Sequence, residues 1–383
     1  MIYLDHNATS PVRLEVIDGL IPYFRDFSGN PSSVHGAGRG ARKGLDEARR
    51  SVAKLVDVHA SQVIFTSGGT EANNMALMGV ASQFDFKGHI VTSSIEHPSV
   101  LQMCDLLESR GVAVTKIAVD SNGVVDLKAL SAALTPETFL VSIMHANNET
   151  GVVQPVAEIA KICRSAKVLF HSDTVQSVAK LPLTLAGTGA DMISISAHKF
   201  GGPKGVGALV VDNHLNLPGM LLGGGQERGR RAGTENIPGI VGFGIAADLV
   251  AAEQGELAGK LLALRNQLES KLSKALSELI VFGDKVERLP NTTAFAVSGL
   301  DGETLVMHMD MAGFAISAGS ACGSGRTKAS HVLVAMGYEG AVGQSAVRIS
   351  LGRDSASEEV DLFVRAFVRT VKNLQKMSAP LAI

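Results

Sequence analysis

Short apolar runs alternating with helical patterns predict an α/β fold: a large domain with a mainly parallel central sheet covered by helices, then a smaller α+β domain. Three observations carry this. Runs such as Val63-Ile-Phe-Thr66, Phe139–His145 and Met192–Ile195 are apolar almost throughout, as strands buried on both faces are. Stretches with apolar residues at helical spacing separate them. With 383 residues, the chain is long enough for one large domain and a second, smaller one.

Taken in order, residues 1–35 carry only short elements punctuated by turns, Asp5-His-Asn-Ala-Thr-Ser-Pro11 and Gly29-Asn-Pro-Ser-Ser-Val-His35, and read as an arm lying on another part of the chain. A helix is predicted over Gly40–Val56, with Leu45, Ala48, Val52 and Leu55 on one side. Strands follow at Val63–Thr66, His89–Thr92, Val112–Ile117, Phe139–His145, Val168–His171, Met192–Ile195 and Gly207–Val211. The helices between them are Thr70–Phe84, Pro98–Arg110, Leu127–Leu134 and Val156–Ala166. A long helical stretch spans Glu235–Leu279. Beyond it come strands at Thr292–Val297 and Val347–Leu351 and helices at Glu303–Met311 and Glu358–Leu374. The expected division is an arm over 1–15 associated with the small domain, a large domain over 16–255 and a small domain over 256–383.

Charge excludes some partners. With 35 basic and 37 acidic residues there is no electrostatic case for nucleic acid or an anionic membrane. No run of about 18 apolar residues is present. Met1–His6 has no basic segment followed by a signal-like apolar core. Cys104, Cys163 and Cys322 are widely spaced, which suits a reducing cytoplasm better than a disulfide framework. No metal-binding spacing occurs, so no metal is expected.

Candidate chemistry collects just after the strands. Lys199, in Ser196-Ala-His-Lys199, follows a buried strand at the position where α/β sheets bind ligands. Partly desolvated there, its amine would have a lowered pKa and could form a Schiff base with an aldehyde; the alternative is a solvated surface lysine. Ser196 and His198 beside it could donate to a phosphate. Gly69 and Thr70, in Ser67-Gly-Gly-Thr-Glu-Ala-Asn-Asn74, form an anion site at a helix start, unless Thr70 is an ordinary N-cap. His97, between a strand end and a helix start, could stack on a flat ring and exchange protons, or simply cap the helix. Asn148 offers uncharged donors to a carboxylate, or is part of a plain turn. Asp173 could hold a pyridine nitrogen protonated and Gln176 could bond a ring oxygen; a surface turn would look similar. Arg348, polar within an apolar strand, could pair with a carboxylate. Gly223–Asn236, rich in glycine and arginine and holding Thr234, could bind phosphate or be a basic loop. Cys322 lies among small and basic residues, where a thiolate is favoured, whereas Cys104 and Cys163 sit in apolar helical patterns and look structural.

Assembled, these motifs resemble the NifS/IscS-type cysteine desulfurases, fold-type I pyridoxal phosphate (PLP) enzymes of the class V aminotransferase group. The resemblance runs from Tyr3-Leu-Asp-His-Asn-Ala-Thr9 to Arg348-Ile-Ser-Leu-Gly-Arg353 and includes Asn147-Asn-Glu-Thr-Gly151 and Gly223-Gly-Gly-Gln-Glu-Arg-Gly-Arg-Arg-Ala-Gly-Thr-Glu-Asn236. It implies Lys199 as the Schiff-base lysine, His97 as the ring-stacking residue, Asp173 at the pyridine nitrogen and Gln176 at the ring hydroxyl. Gly69, Thr70, Ser196 and His198 would hold the phosphate, with Thr234 added by the partner in a homodimer. Asn148 and Arg348 would grip the substrate carboxylate, and Cys322 would accept sulfur from L-cysteine. A sulfur acceptor such as an iron–sulfur scaffold protein is implied as partner, with transient ligation of a cluster by Cys322. A selenocysteine lyase or another PLP-dependent Cβ-lyase is the alternative. Ser172 and Thr174 around Asp173, and Arg326-Thr-Lys-Ala329 after Cys322, depart from the commoner pattern.

Overall fold

The computed structural model describes residues 1–319 and 329–378. Among them, strands β1 (Ile2–Tyr3), β2 (Val63–Thr66), β3 (His89–Ser93), β4 (Ala113–Ile117), β5 (Thr138–Ser142), β6 (Leu169–Asp173), β7 (Met192–Ser196) and β8 (Gly207–Val211) come first. The seven-stranded sheet has the order β2-β8-β7-β6-β5-β3-β4. β8 runs antiparallel to both neighbours and the other pairings are parallel. Its strands bury both faces by alternation. Val63, Phe65, Val91, Val141, Ile193 and Val210 point into one core, and Ile64, Ile90, Leu140, Met192 and Leu209 into the other. The first core is closed by helices Gly36–Leu55, Val156–Ala166 and the start of Ile237–Ala275. The second is closed by Gly69–Gln83 and Pro98–Ser109.

Every strand except β8 points its carboxyl end the same way, so the loops after β2, β3, β5, β6 and β7 meet at one edge. The order switches direction between β3 and β5, which opens a crevice there. At Gly207 an added Cβ would lie 2.6 Å from Ile195 O and 2.7 Å from Gly68 Cα. A side chain there would therefore push the turn after β2 away from β7.

The 39-residue helix Ile237–Ala275 serves two cores. Val250 and residues before it join the large sheet, while Leu261, Leu264, Leu268 and Leu272 join a separate cluster with Phe295, Phe363 and Phe367. Its N-terminal half is long and apolar enough to resemble a membrane span, but Ile240, Phe243, Ala246 and Ala247 are packed inside the protein. The second cluster lies on an antiparallel sheet of β9 (Leu279–Val281), β10 (Thr292–Val297), β12 (Ser317–Ala318) and β13 (Ala346–Ser350), in the order β12-β13-β10-β9. β1 pairs with β11 (Phe314–Ala315), and Leu4 is buried in the same cluster.

One expectation needs correcting. Residues 1–35 include a three-turn helix, Leu14–Arg25, packed on the long helix, where Val16 lies against Gly242 and Gly19 against Ile245, with Leu20 and Tyr23 against the large-domain core. Smaller differences are at ends. β5 stops at Ser142 rather than His145, although the amides of Ile143 and His145 still donate to His171 O and Asp173 O of β6. β6 runs on through Asp173, because Ser172 and Asp173 are buried despite being polar.

Candidate active site

A cavity of about 380 Å³ lies at the carboxyl edge of the large sheet, against the small domain. Loops after β2, β3, β5, β6 and β7 supply Gly69 and Thr70, His97, Asn148, Asp173 and Gln176, and Ser196, His198 and Lys199; β13 supplies Arg348. The cavity thus gathers every residue singled out from the sequence except Thr234 and Cys322. Thr234 is exposed and does not line it, and Cys322 lies outside the described residues.

Lys199 sits in a single 3₁₀ turn, Ala197–Lys199, where β7 ends. Its Nζ donates to Asn7 O at 2.6 Å and Ala8 O at 2.9 Å. Burial and then the charge of Arg348 pull the amine down to about 8, while Asp173 and Asp5 oppose them. A lysine so placed carries a substantial neutral fraction near physiological pH. His198, held by Thr9 Oγ1 at 3.1 Å, is lowered to about 4, mainly by burial. It is neutral at pH 7 and can offer one N–H without adding charge.

The start of helix Gly69–Gln83 faces the cavity through Gly69 and Thr70. Gly68 occupies the N-cap and no side chain caps the helix. Thr70 therefore lies inside the first turn rather than capping it, and its hydroxyl is exposed toward the cavity. First-turn amides and a hydroxyl facing one space suit a phosphate. His97 caps a helix and also lines the cavity. Its Nδ1 accepts from Ser99 N at 3.1 Å, capping helix Pro98–Ser109, and its ring faces the cavity. Burial lowers its pKa, against the pull of Asp173. The cap leaves Nε2 as the protonated nitrogen.

Asp173 is only 8% exposed. Asn73 Nδ2 donates to its Oδ2 at 2.7 Å and Val175 N to its Oδ1 at 3.0 Å, so the carboxylate is fixed where β6 ends. Arg348 reaches Asp5 Oδ1, Asn148 O and Ser317 Oγ with its terminal nitrogens, yet its Nε is buried with no partner among the described residues. An orphaned guanidinium N–H beside a cavity suits a carboxylate ligand. Cys104 and Cys163 are fully buried, and burial pushes both thiols up to about 12. Neither can act as a thiolate nucleophile.

Two residues missed in the sequence organise the site. Asn7, 1% exposed, accepts from Lys199 and Gln176 at its carbonyl and donates its side-chain amide to Thr292 Oγ1 and Asn148 O. Lys180 donates to the side chains of both Asn7 and Gln176. Spacing could have flagged Lys180, four residues after Gln176. Nothing local marks Asn7, whose partners are all more than a hundred residues away.

A sheet whose carboxyl edge presents a lysine, a buried aspartate and an uncapped helix start to one cavity is the arrangement of an aldehyde-cofactor enzyme. The chain belongs to the aminotransferase class-V family, whose model matches residues 2–363. It is 40% identical to the cysteine desulfurase IscS of Dictyoglomus turgidum, over 98% of this chain and 96% of that one. It is 44% identical to a cysteine desulfurase of Cereibacter sphaeroides, over 98% and 97%. Among solved structures, a NifS-like protein superposes with a TM-score of 0.91 at 38% identity, covering 97% of this chain and 99% of the other. A NifS-like protein from Rickettsia africae superposes with a TM-score of 0.88 at 34% identity, over 97% and 99%.

Proposed function

We propose that this protein is a PLP-dependent cysteine desulfurase that takes sulfur from L-cysteine, releases L-alanine and holds the sulfur as a persulfide on Cys322. The observation that carries the reading is the convergence of Lys199, Asp173, the uncapped start of Gly69–Gln83 and the unpaired Arg348 Nε on one cavity. The relatives' names point the same way.

When bound, PLP supplies an electron-accepting ring that loosens the bonds at the substrate's Cα. Gly69, Thr70, Ser196 and His198 would hold its phosphate, and His97 would face its ring. Asp173 would keep the ring nitrogen protonated, and Gln176 would donate to the ring oxygen. Lys199 would be the lysine that holds the cofactor, and its amine would move the Cα proton of the substrate. Asn148 and Arg348 orient the substrate carboxylate. Cys322 would then attack the substrate sulfur, forming an S–S bond as the carbon–sulfur bond breaks; the electron pair passes to the carbon fragment, which takes up protons and leaves as L-alanine. The persulfide is passed to an acceptor, which we place among iron–sulfur assembly proteins, in the cytoplasm.

The reading includes a homodimer and a domain division at 1–15, 16–255 and 256–383. Apolar side chains exposed on Leu14–Arg25 and at Leu222 support a partner surface: Leu14 is 74% exposed, Phe24 68% and Leu222 86%. Thr234 then reaches the partner's phosphate.

The test is direct. The purified protein should be yellow, and borohydride should fix the cofactor on Lys199. L-Cysteine should yield equimolar alanine and sulfide under reducing conditions. Cys322→Ser should keep the colour and lose the turnover. A borohydride adduct on Lys180 or Lys204, or persulfide found on Cys104 or Cys163, would overturn the assignments.

A further inference from the structure

Lys180 is a buried lysine to which the reaction just described gives no task. It is 8% exposed and makes no ion pair among the described residues. Its Nζ donates to Gln176 Oε1 at 2.7 Å and to Asn7 Oδ1 at 2.7 Å. The turns after β6 place it four residues beyond Gln176, with Lys180 N bonded to Ser177 O, so both side chains leave the same side of the segment.

Both amides are thereby given a fixed sense. Asn7 donates its Nδ2 to Thr292 Oγ1 at 2.9 Å and Asn148 O at 3.2 Å, which turns its oxygen toward Lys180 and Asn291. Gln176, 6% exposed, has its oxygen taken by Lys180 and its Nε2 directed at Asn7 O at 3.0 Å. An ammonium has three donors and no acceptor, so only the oxygen end of an amide can face it. The second N–H of Gln176 is left for the cavity it lines.

We propose that Lys180 is a positioning residue, which locks Gln176 as a hydrogen-bond donor toward the cofactor's ring oxygen. The inference rests on the PLP reading above. A donor on that oxygen weakens the hold of the oxygen and the neighbouring imine nitrogen on their shared proton. Lys180 therefore sets the pH at which the lysine-bound cofactor loses its yellow, protonated form. The other charged or titratable groups around Lys180 are Lys199 from the β7 turn and Arg348 from β13, with His6, Arg13, Glu15, Arg353 and Asp354, which share a second cavity with it. Burial, with Lys199 and Arg348, lowers the Lys180 pKa well below that of a free lysine. The bonds to two amide oxygens oppose that loss of charge.

The experiment is a spectrophotometric pH titration of the holoprotein. Lys180→Met should move the midpoint of the yellow band upward by about one pH unit, a tenfold change in the proton equilibrium. Lys180→Arg, which keeps the donor, should restore the wild-type midpoint in large part. Gln176→Met should shift it in the same direction, and adding Lys180→Met to Gln176→Met should move it no further. Lys180→Leu, which likewise supplies no donor, gives the same upward shift if the methionine variant fails to fold. An unmoved midpoint in a folded Lys180 variant, or full additivity in the double variant, overturns the proposal while leaving the PLP reading intact. A wild-type protein that forms no yellow band with added PLP overturns both.

Discussion

Arg348 and Asp5, 343 residues apart, meet at 2.7 Å across the small domain and the N-terminal arm. The pair fixes Arg348, which lines the cavity, while its buried Nε has no partner among the described residues. Ser317 Oγ bonds both side chains and completes the clamp. A guanidinium held in this way suits a carboxylate ligand.

Arg348→Lys removes the planar fork but keeps a cation. Losing hydrogen bonds to a charged group costs about 1.5–3 kcal/mol, roughly 10- to 150-fold in kcat/KM for L-cysteine. The cofactor band should stay as in wild type, because the ring anchors lie elsewhere. Steady-state kinetics beside a spectrum decides it. Unchanged kcat/KM would remove Arg348 from the carboxylate site.

Lys199 gives a pH prediction with a stated cause. In protein freed of cofactor, reductive methylation of Lys199 should rise through about pH 8 rather than near 10.5. Arg348→Met, which takes away a repelling cation, should raise that midpoint. Asp173→Asn, which takes away an attracting anion, should lower it. Because the folded pKa lies below the unfolded one, the folded state releases this proton first. The contribution of Lys199 to stability therefore improves as pH rises from about 8 to 10.5. Residue-resolved mass spectrometry of the methylated protein gives the midpoints, and a shift of the opposite sign in either variant would discard the electrostatic account.

Much of this site was legible because its residues follow strand ends, where apolar runs break into glycine, serine and histidine. Lys199 after β7 and Asp173 at the end of β6 stand at such breaks, and the family resemblance, not the break alone, separated them from surface turns. Asn7 could not be picked out in this way. Its importance comes from contacts with Thr292, Asn291, Gln176 and Lys199, none of them near in sequence. Helix Leu14–Arg25 escaped for a different reason. Val16, Leu20 and Tyr23 face the core while Leu14, Ile21 and Phe24 are exposed, so apolar residues spill beyond the buried stripe although Glu15, Asp18 and Arg25 mark a polar side. Pro22 inside it also reads as a breaker.

Glu96 opposes Lys199 in sign. It is fully buried beneath the cavity, and burial pushes its carboxyl up to about 8 although Ser93 Oγ and Met144 N donate to it. A raised carboxyl keeps its proton when folded and loses it when unfolded. Its contribution is present below about pH 4.5 and is lost as pH rises through 8. Glu96→Gln should flatten the fall of Tm between those values, with the variant gaining on wild type at the alkaline end. Parallel Tm curves for the two proteins would show that Glu96 ionises normally.

The last prediction concerns how sites are shared between subunits. The segment Gly223–Asn236 is tied to the large domain by two ion pairs. Glu227 accepts from Arg49 at 2.6 Å and from Phe65 N at 3.0 Å, and Arg231 bonds Glu71 at 2.9 Å in the first turn of the anion-cradling helix. Anchored so near the cavity, the segment still leaves Thr234 exposed and outside it. A residue presented this way suits delivery to a neighbour, and a two-fold dimer would exchange two such residues symmetrically. Thr234→Ala should weaken PLP retention by about 1–3 kcal/mol, the worth of one bond to a charged phosphate, without altering the reactivity of Lys199. Mixing Lys199→Ala chains with Thr234→Ala chains separates the arrangements. If Thr234 acts in trans, the heterodimer has one site with both lesions and one with neither, so a site with wild-type retention and activity reappears. If Thr234 acts in cis, every site carries one lesion and no such site is recovered, which would sink the shared-site reading.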